Sequence, residues 1–181
     1  MNIAEAKELG LTIMLLEEFL EEYQNEKIKI LIEIKDEDDL AKNAADMIIE
    51  LLDGKYNSWK DNAMIISFTD SVINYIIKEY KDQLVGALGY KIIPEIAFNK
   101  LGLEALFKAN YPCIQTKMRH KYGPITINCA TKSFVKQAHQ RNQTVAYWTV
   151  DDKEDMELLI EIGADIITTD APDLLSELLG V

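Results

Sequence analysis

Residues 27–35 read KIKILIEIK, a near-continuous isoleucine-rich run of the kind that forms a strand covered on both faces. The acidic residues that follow, at 36–39, suit the start of a helix, where free amides and the dipole favour negative charge. Leu40, Ala44, Met47, Ile48, Leu51 and Leu52 then recur at helical spacing, and Gly54 ends the run. This strand-then-helix unit repeats down the chain. Residues 63–68 (AMIISF) predict a second strand, and Thr69 or Asp70 caps a helix with Val72, Ile73, Ile76, Ile77 and Tyr80 on one side. Residues 83–88 (QLVGAL) predict a third strand. Pro94 interrupts 89–99, which has no clear period, and 100–109 predict a helix.

A short apolar piece at 113–115 predicts a fourth strand, followed by a loop over 118–128 that carries Gly123 and Pro124. Thr131 caps a helix with Phe134, Val135 and Ala138 inward. Residues 144–150 (TVAYWTV) predict a fifth strand, and Asp151 or Asp152 opens a helix with Met156, Leu159 and Ile160, ended by Gly163. Residues 165–168 (DIIT) predict the sixth strand and 172–179 a closing helix. At the front, Leu9, Ile13, Leu16 and Leu20 form an apolar stripe that predicts one helix over 2–24.

Strands alternating with amphipathic helices define βαβ units and a parallel sheet, an α/β chain with about six parallel strands. There is no linker and no low-complexity stretch, so residues 1–181 read as a single domain. No G-x-G-x-x-G or G-x-x-x-x-G-K loop supports a nucleotide-binding sheet. Length sharpens the picture, because a complete (β/α)8 barrel takes about 250 residues and this chain has 181.

Charge excludes one class of partner. Asp and Glu number 31 against 19 Lys and Arg, a net charge of −12, whereas nucleic-acid binding wants a basic stripe. Cys113 and Cys129 are too few for a disulfide framework and lack a metal-finger spacing, so both read as reduced, partly buried thiols. The first residues have no basic n-region, and no apolar run reaches the roughly 18 residues of a membrane span, so a cytoplasmic location is expected.

In parallel α/β sheets, chemistry sits at the carboxyl ends of the strands. The first strand ends in Glu33 and Lys35, whose parity puts both on one face, opposite Ile32 and Ile34. They read either as an exposed ion pair or as a carboxylate for a hard divalent metal beside a cation for a phosphate. Ser67 and Phe68 close the second strand, with Ser67 reading as a helix-cap neighbour. Trp148 closes the fifth, as a core anchor or a ligand wall. Asp170 and Pro172 after the last strand are explained by a helix N-terminus alone. His139 reads as a surface or packing residue. His120, among Lys117, Arg119 and Lys121, reads as solvated loop charge able to hold an anion.

Taken in order, Leu31-Ile32-Glu33-Ile34-Lys35, Ile65-Ile66-Ser67-Phe68, Ala138-His139 with Tyr147-Trp148-Thr149-Val150-Asp151, and the run from Gly163 through Thr168-Thr169-Asp170-Ala171-Pro172 resemble the glycerophosphodiester phosphodiesterase family. The stretch 13–20 (IMLLEEFL) is similar to the family's iPtLeEvL helix entry, with Met14 and Leu15 in place of Pro-Thr. The resemblance implies a TIM-like (β/α) barrel that hydrolyses glycerophosphodiesters to glycerol 3-phosphate and an alcohol with a divalent cation, calcium or magnesium. Carried over by position, Glu33 matches a metal-ligand Glu, Lys35 a Lys near the phosphate, and Trp148 an aromatic lining the substrate site. Asp151 stands where the family has Asn.

The family's opening HRG strand, with the E-x-D pair and HD segment that follow it, does not occur as such in this sequence. The resemblance therefore implies an incomplete barrel, about strands three to eight, with no catalytic residue of its own and little or no activity by itself. The alternative is a non-catalytic partial barrel that binds a phosphate ligand or a protein. Either way, the expected ligand is a small phosphodiester. Open sheet edges predict self-association or a partner that supplies the missing strands.

Overall fold

The computed structural model describes residues 3–87, 92–101 and 111–181. Its centre is a six-stranded parallel sheet in the order β1-β2-β3-β4-β7-β8. The strands are β1 (Ile30–Glu33), β2 (Ala63–Ser67), β3 (Val85–Ala87), β4 (Cys113–Thr116), β7 (Thr144–Tyr147) and β8 (Ile166–Ile167). Between β4 and β7 the chain forms an antiparallel hairpin, β5 (Arg119–Tyr122) and β6 (Ile125–Asn128). The helices are α1 (Ile3–Glu8), α2 (Leu16–Glu22), α3 (Asp38–Asp53), α4 (Asp70–Glu79), α5 (Ile93–Lys100), α6 (Lys132–Gln140), α7 (Lys153–Ile162) and α8 (Pro172–Leu179). The sheet curls into a half-barrel, so the expected incomplete TIM-like barrel of about six parallel strands is what the chain forms.

Register separates the two faces. Glu33 pairs with Ile66, Ile66 with Gly86, and Gln115 with Ala146, so these residues line the inner, concave side. The alternate positions Ile65, Val85, Ile114, Val145 and Tyr147 point outward and, with α3, α4, α6 and α7, make the main core. A second cluster, Leu20, Leu52, Tyr56, Trp59 and Ala63, seals the end beneath β1 and β2. Trp59 is held there by its Nε1, which donates to the Leu20 carbonyl at 3.0 Å.

Local signals explain several boundaries. Thr131 caps α6, its side chain accepting from the Phe134 amide at 3.2 Å, with Phe134, Val135 and Ala138 inward as expected. Gly163 ends α7 at φ +81°, a left-handed conformation that glycine adopts without a Cβ penalty. Pro172 opens α8, and Ala171 rather than Asp170 occupies its cap position.

Four expectations change. The helix expected over 2–24 is two helices, α1 and α2, separated by residues 9–15. Gly10 has φ +72° there, and Leu9 and Ile13 of the expected stripe are exposed. On α3 the buried line is Ala41, Ala45, Ile49 and Leu52, whereas Leu40 and Met47 face outward. Small alanines let the helix lie close to the sheet, which turns the bulkier Leu40 and Met47 away. The loop expected over 118–128 is the β5–β6 hairpin, turned by Gly123 at φ +57° and Pro124. The irregular stretch 89–99 contains the start of α5, with Pro94 in its first turn, where a missing amide proton costs nothing. The helix expected over 100–109 lies almost wholly outside the described residues.

Candidate functional site at the carboxyl ends of the strands

The inner face ends in a row of side chains just past the strands. Glu33 and Lys35 stand at the end of β1, with Lys35 Nζ 3.8 Å from Glu33 Oε2. The lysine side chain is 80% exposed and the glutamate 32%, so the pair sits at the rim, where such a contact is worth at most about 1 kcal/mol.

A second cluster spans the opposite wall. Trp148, past β7, meets Phe68, past β2, edge to face at 5.4 Å with an interplanar angle of 90°. Lys117 Nζ, past β4, lies 5.1 Å from the Trp148 ring centroid. Two strands, β3 and β4, lie between β2 and β7, so the Phe68–Trp148 contact exists because the sheet curls. A cavity of about 400 Å³ beside it is lined by Lys117, Arg119, Trp148, Asp151, Asp152 and Asp155. Arg119 reaches Asp155 at 3.8 Å across this cavity. Asp151 is occupied structurally: its Oδ1 accepts from the Thr169 hydroxyl at 3.0 Å and the Asp170 amide at 2.8 Å, tying β7's exit to β8's.

Below the row lie buried polar groups. Gln115 is 1% exposed, and its Nε2 has no hydrogen-bond partner among the described residues. The Trp148 Nε1 is also buried without one. His120 belongs to β5, with its Nε2 2.7 Å from the Thr116 hydroxyl. Burial, then the Lys117 charge, hold its imidazole below the ordinary value of 6.5, so it is neutral at pH 7 rather than part of a cationic loop. His139 is 2.8 Å from Asp165 on the outer side, away from this row.

Of the three residues the sequence singled out, Glu33 and Lys35 are brought together and Trp148 anchors the other wall. Gln115 went unrecognised, and Lys117 was read only as part of the basic loop around His120. The signal for them was present in the alternation Cys113, Gln115, Lys117, which puts polar residues on the inner face of a strand otherwise fit for a core.

The carboxyl ends of the strands of this open parallel half-barrel, where (β/α) barrels place their ligand sites, carry charged and aromatic side chains. Residues 2–174 match the glycerophosphoryl diester phosphodiesterase family, and the chain belongs to that family. A glycerophosphodiester phosphodiesterase of Parabacteroides distasonis has the same fold, with a TM-score of 0.67 and 22% identity over 91% of this chain and 63% of that one. The glycerophosphodiester phosphodiesterase of Agrobacterium tumefaciens superposes with a TM-score of 0.63 and 14% identity, over 95% of this chain and 64% of that one. This chain thus spans less than two thirds of the length of those proteins. Comparison with curated proteins returned no match.

The family's divalent cation can be tested against the side chains present. Calcium takes 6–8 oxygens and magnesium a near-octahedral set. Glu33 offers one carboxylate, already facing Lys35, and the described residues hold no group of three or more His, Cys, Asp or Glu arranged for an ion. The described residues do not by themselves fit a bound cation. Among them, no helix is long and apolar enough to cross a membrane.

Proposed function

We propose that this chain contributes the phosphate-facing and leaving-group walls of a glycerophosphodiester phosphodiesterase barrel and binds a small phosphodiester without hydrolysing it unaided. The observation that carries this reading is the placement of Glu33, Lys35 and Trp148 on the inner face at the carboxyl ends of β1 and β7. In the completed reaction, a glycerophosphodiester and water give glycerol 3-phosphate and an alcohol. Lys35 supplies positive charge to the phosphate oxygens and Trp148 a flat apolar wall; Glu33 would offer only one of the carboxylates a divalent cation needs, the rest coming from a supplied segment. Proton transfer needs groups of the HRG and HD type, which this sequence does not contain.

The test is hydrolysis of glycerophosphocholine with calcium or magnesium, with and without a co-expressed segment carrying the HRG, E-x-D and HD elements. No turnover is expected from the chain alone, and turnover is expected with the segment. Efficient hydrolysis by the chain alone would refute the reading. Calorimetry should find phosphate-ester binding that Lys35→Ala weakens.

A second reading, a non-catalytic phosphate-binding half-barrel, is favoured by the engagement of Glu33 with Lys35. It predicts the same binding and no turnover even with the segment supplied. On either reading, residues 1–181 act as one unit in the cytoplasm, and the free edge of β1, with Ile28 and Leu31 about 40% exposed, drives self-association or docks a strand-supplying partner. Light scattering at micromolar concentration should find more than a monomer.

A further inference from the structure

We propose that β1 pairs with β1 of a second copy of this chain, antiparallel, about a twofold axis at Leu31. The inference rests on the reading above that the free edge of β1 takes a partner, and it names that partner. β1 stands at the end of the sheet order and, among the described residues, pairs with β2 alone. The Ile34 amide donates to the Ile66 carbonyl at 2.9 Å, so in this register the even-numbered amides of β1 face β2. Backbone direction alternates along a strand, which turns the amides and carbonyls of Lys29, Leu31 and Glu33 to the open side. An open row of this kind is a template for another strand. A groove of about 490 Å³ runs along it, lined by Leu16, Phe19 and residues 28–33.

What the edge displays fits a second copy. Lys29, Leu31 and Glu33 share one face of the strand: a cation, an apolar side chain 40% exposed and an anion. Antiparallel pairing about Leu31 sets that leucine against Leu31 of the partner subunit. It also sets Lys29 against Glu33 of the partner subunit, and the twofold axis repeats that pair. Opposite charges directly across a ladder stabilise it, and like charges oppose it. Every outward amide and carbonyl from 29 to 33 then finds a partner. The like-charged pairing, Lys27 against Lys35 of the partner subunit, falls at the outer ends of the ladder, where both side chains are exposed and screened by salt. Steric room follows from the same symmetry. α2 clusters with Ile30 and Ala63 at the strand starts, so antiparallel pairing puts the two α2 helices at opposite ends of the joint ladder. A strand added in parallel, as by a segment that completes the barrel, occupies the same edge, so the two partners exclude each other.

Size-exclusion chromatography with light scattering should give about 41 kDa at micromolar concentration, twice the 20.6 kDa chain. Lys29→Glu and Glu33→Lys each set like charges opposite one another and should raise the dimer Kd about tenfold. An equimolar mixture of the two variants restores both pairs and should recover the dimer, with one copy of each. Lys27→Glu should not weaken it. Hydrogen exchange needs no substitution: the Leu31 and Glu33 amides should be protected in the dimer and lose protection on dilution. A monomer, a mixture no tighter than its parts, or a dimer whose Leu31 and Glu33 amides exchange freely would overturn the interface and leave the phosphodiester reading standing. So would a dimer that weakens with Lys27→Glu rather than Lys29→Glu. The co-expressed segment should replace the second copy, and a segment bound to an intact dimer would overturn the shared edge. If the dimer forms as described and calorimetry finds no phosphate-ester binding, the proposed function fails and the interface stands.

Discussion

Replacing Arg141 with methionine should strip the countercharge from a buried carboxylate and destabilise the fold by about 3 kcal/mol, the lower end for breaking one partner of a buried ion pair. Glu95, on α5, is 1% exposed. Its Oε1 accepts from Arg141 Nη2 at 2.5 Å. Its Oε2 accepts from the Tyr111 hydroxyl at 2.6 Å and from Gln143 Nε2 at 3.4 Å. Arg141 Nε also donates to Gln143 Oε1 at 3.0 Å. The network joins α5 to the starts of β4 and β7 at the end of the barrel away from the ligand site. Burial, then the Glu95 charge, push the Tyr111 phenol far above its ordinary value, so it stays a donor at any working pH. Two neutral donors thus remain after the substitution, which is why the low end of the range applies. At about 2–4 °C per kcal/mol for a domain of this size, the midpoint should fall by roughly 6–12 °C. Urea unfolding should show the loss with an unchanged slope. The double variant Glu95→Gln/Arg141→Met should recover about 1–2 kcal/mol, because an amide still accepts from Tyr111 and no buried charge is left alone. A loss under about 0.5 kcal/mol for Arg141→Met, or a double variant worse than the single, would refute the reasoning.

Two further predictions concern titration and thiols. The His120 imidazole is held below 6.5 in the fold, so the unfolded chain binds the proton more tightly; the fold should lose stability as pH falls from about 6.5 through the lower folded value, and His120→Asn should flatten that step in urea midpoints measured between pH 7.5 and 5. Parallel curves for the two proteins would contradict it. Burial pushes the Cys113 thiol up to about 11, so Cys113 should react with a thiol reagent at pH 8 only at the rate of unfolding, and rapid labelling of the folded chain at that position would overturn the assignment.

How much of this was legible in the sequence differs from element to element. The runs KIKILIEIK, AMIISF and TVAYWTV announced buried parallel strands, because only strands covered on both faces tolerate such unbroken apolar character. Each contains the strand found there, β1, β2 or β7. Thr131, Gly163 and Pro172 marked helix ends through local stereochemistry that no distant contact alters. The same locality explains why Glu33 and Lys35 could be put on one face from parity alone. The ordered motifs pointed to the family, and the match over residues 2–174 agrees.

Where several faces of an element are apolar, the pattern left the choice open. On α3, Leu40 and Met47 fit a helical stripe as well as Ala41 and Ala45 do, and packing distance to the sheet chose the alanines. In the hairpin, RHKYGPITIN holds a turn signal, but two four-residue strands with so few apolar positions look like loop until they pair with each other.

By itself, then, the sequence determined the α/β alternation, most helix ends, the inward parity of Glu33 and Lys35, and the family, since these depend on neighbours within a few residues or on motif order. Only the tertiary structure decided that Phe68 and Lys117 close around Trp148 and that the Gln115 amide rests on Gly86. It alone joined Glu95 to Arg141, 46 residues away. Those contacts come from sheet curvature and strand order, which bring together residues that share no local periodicity.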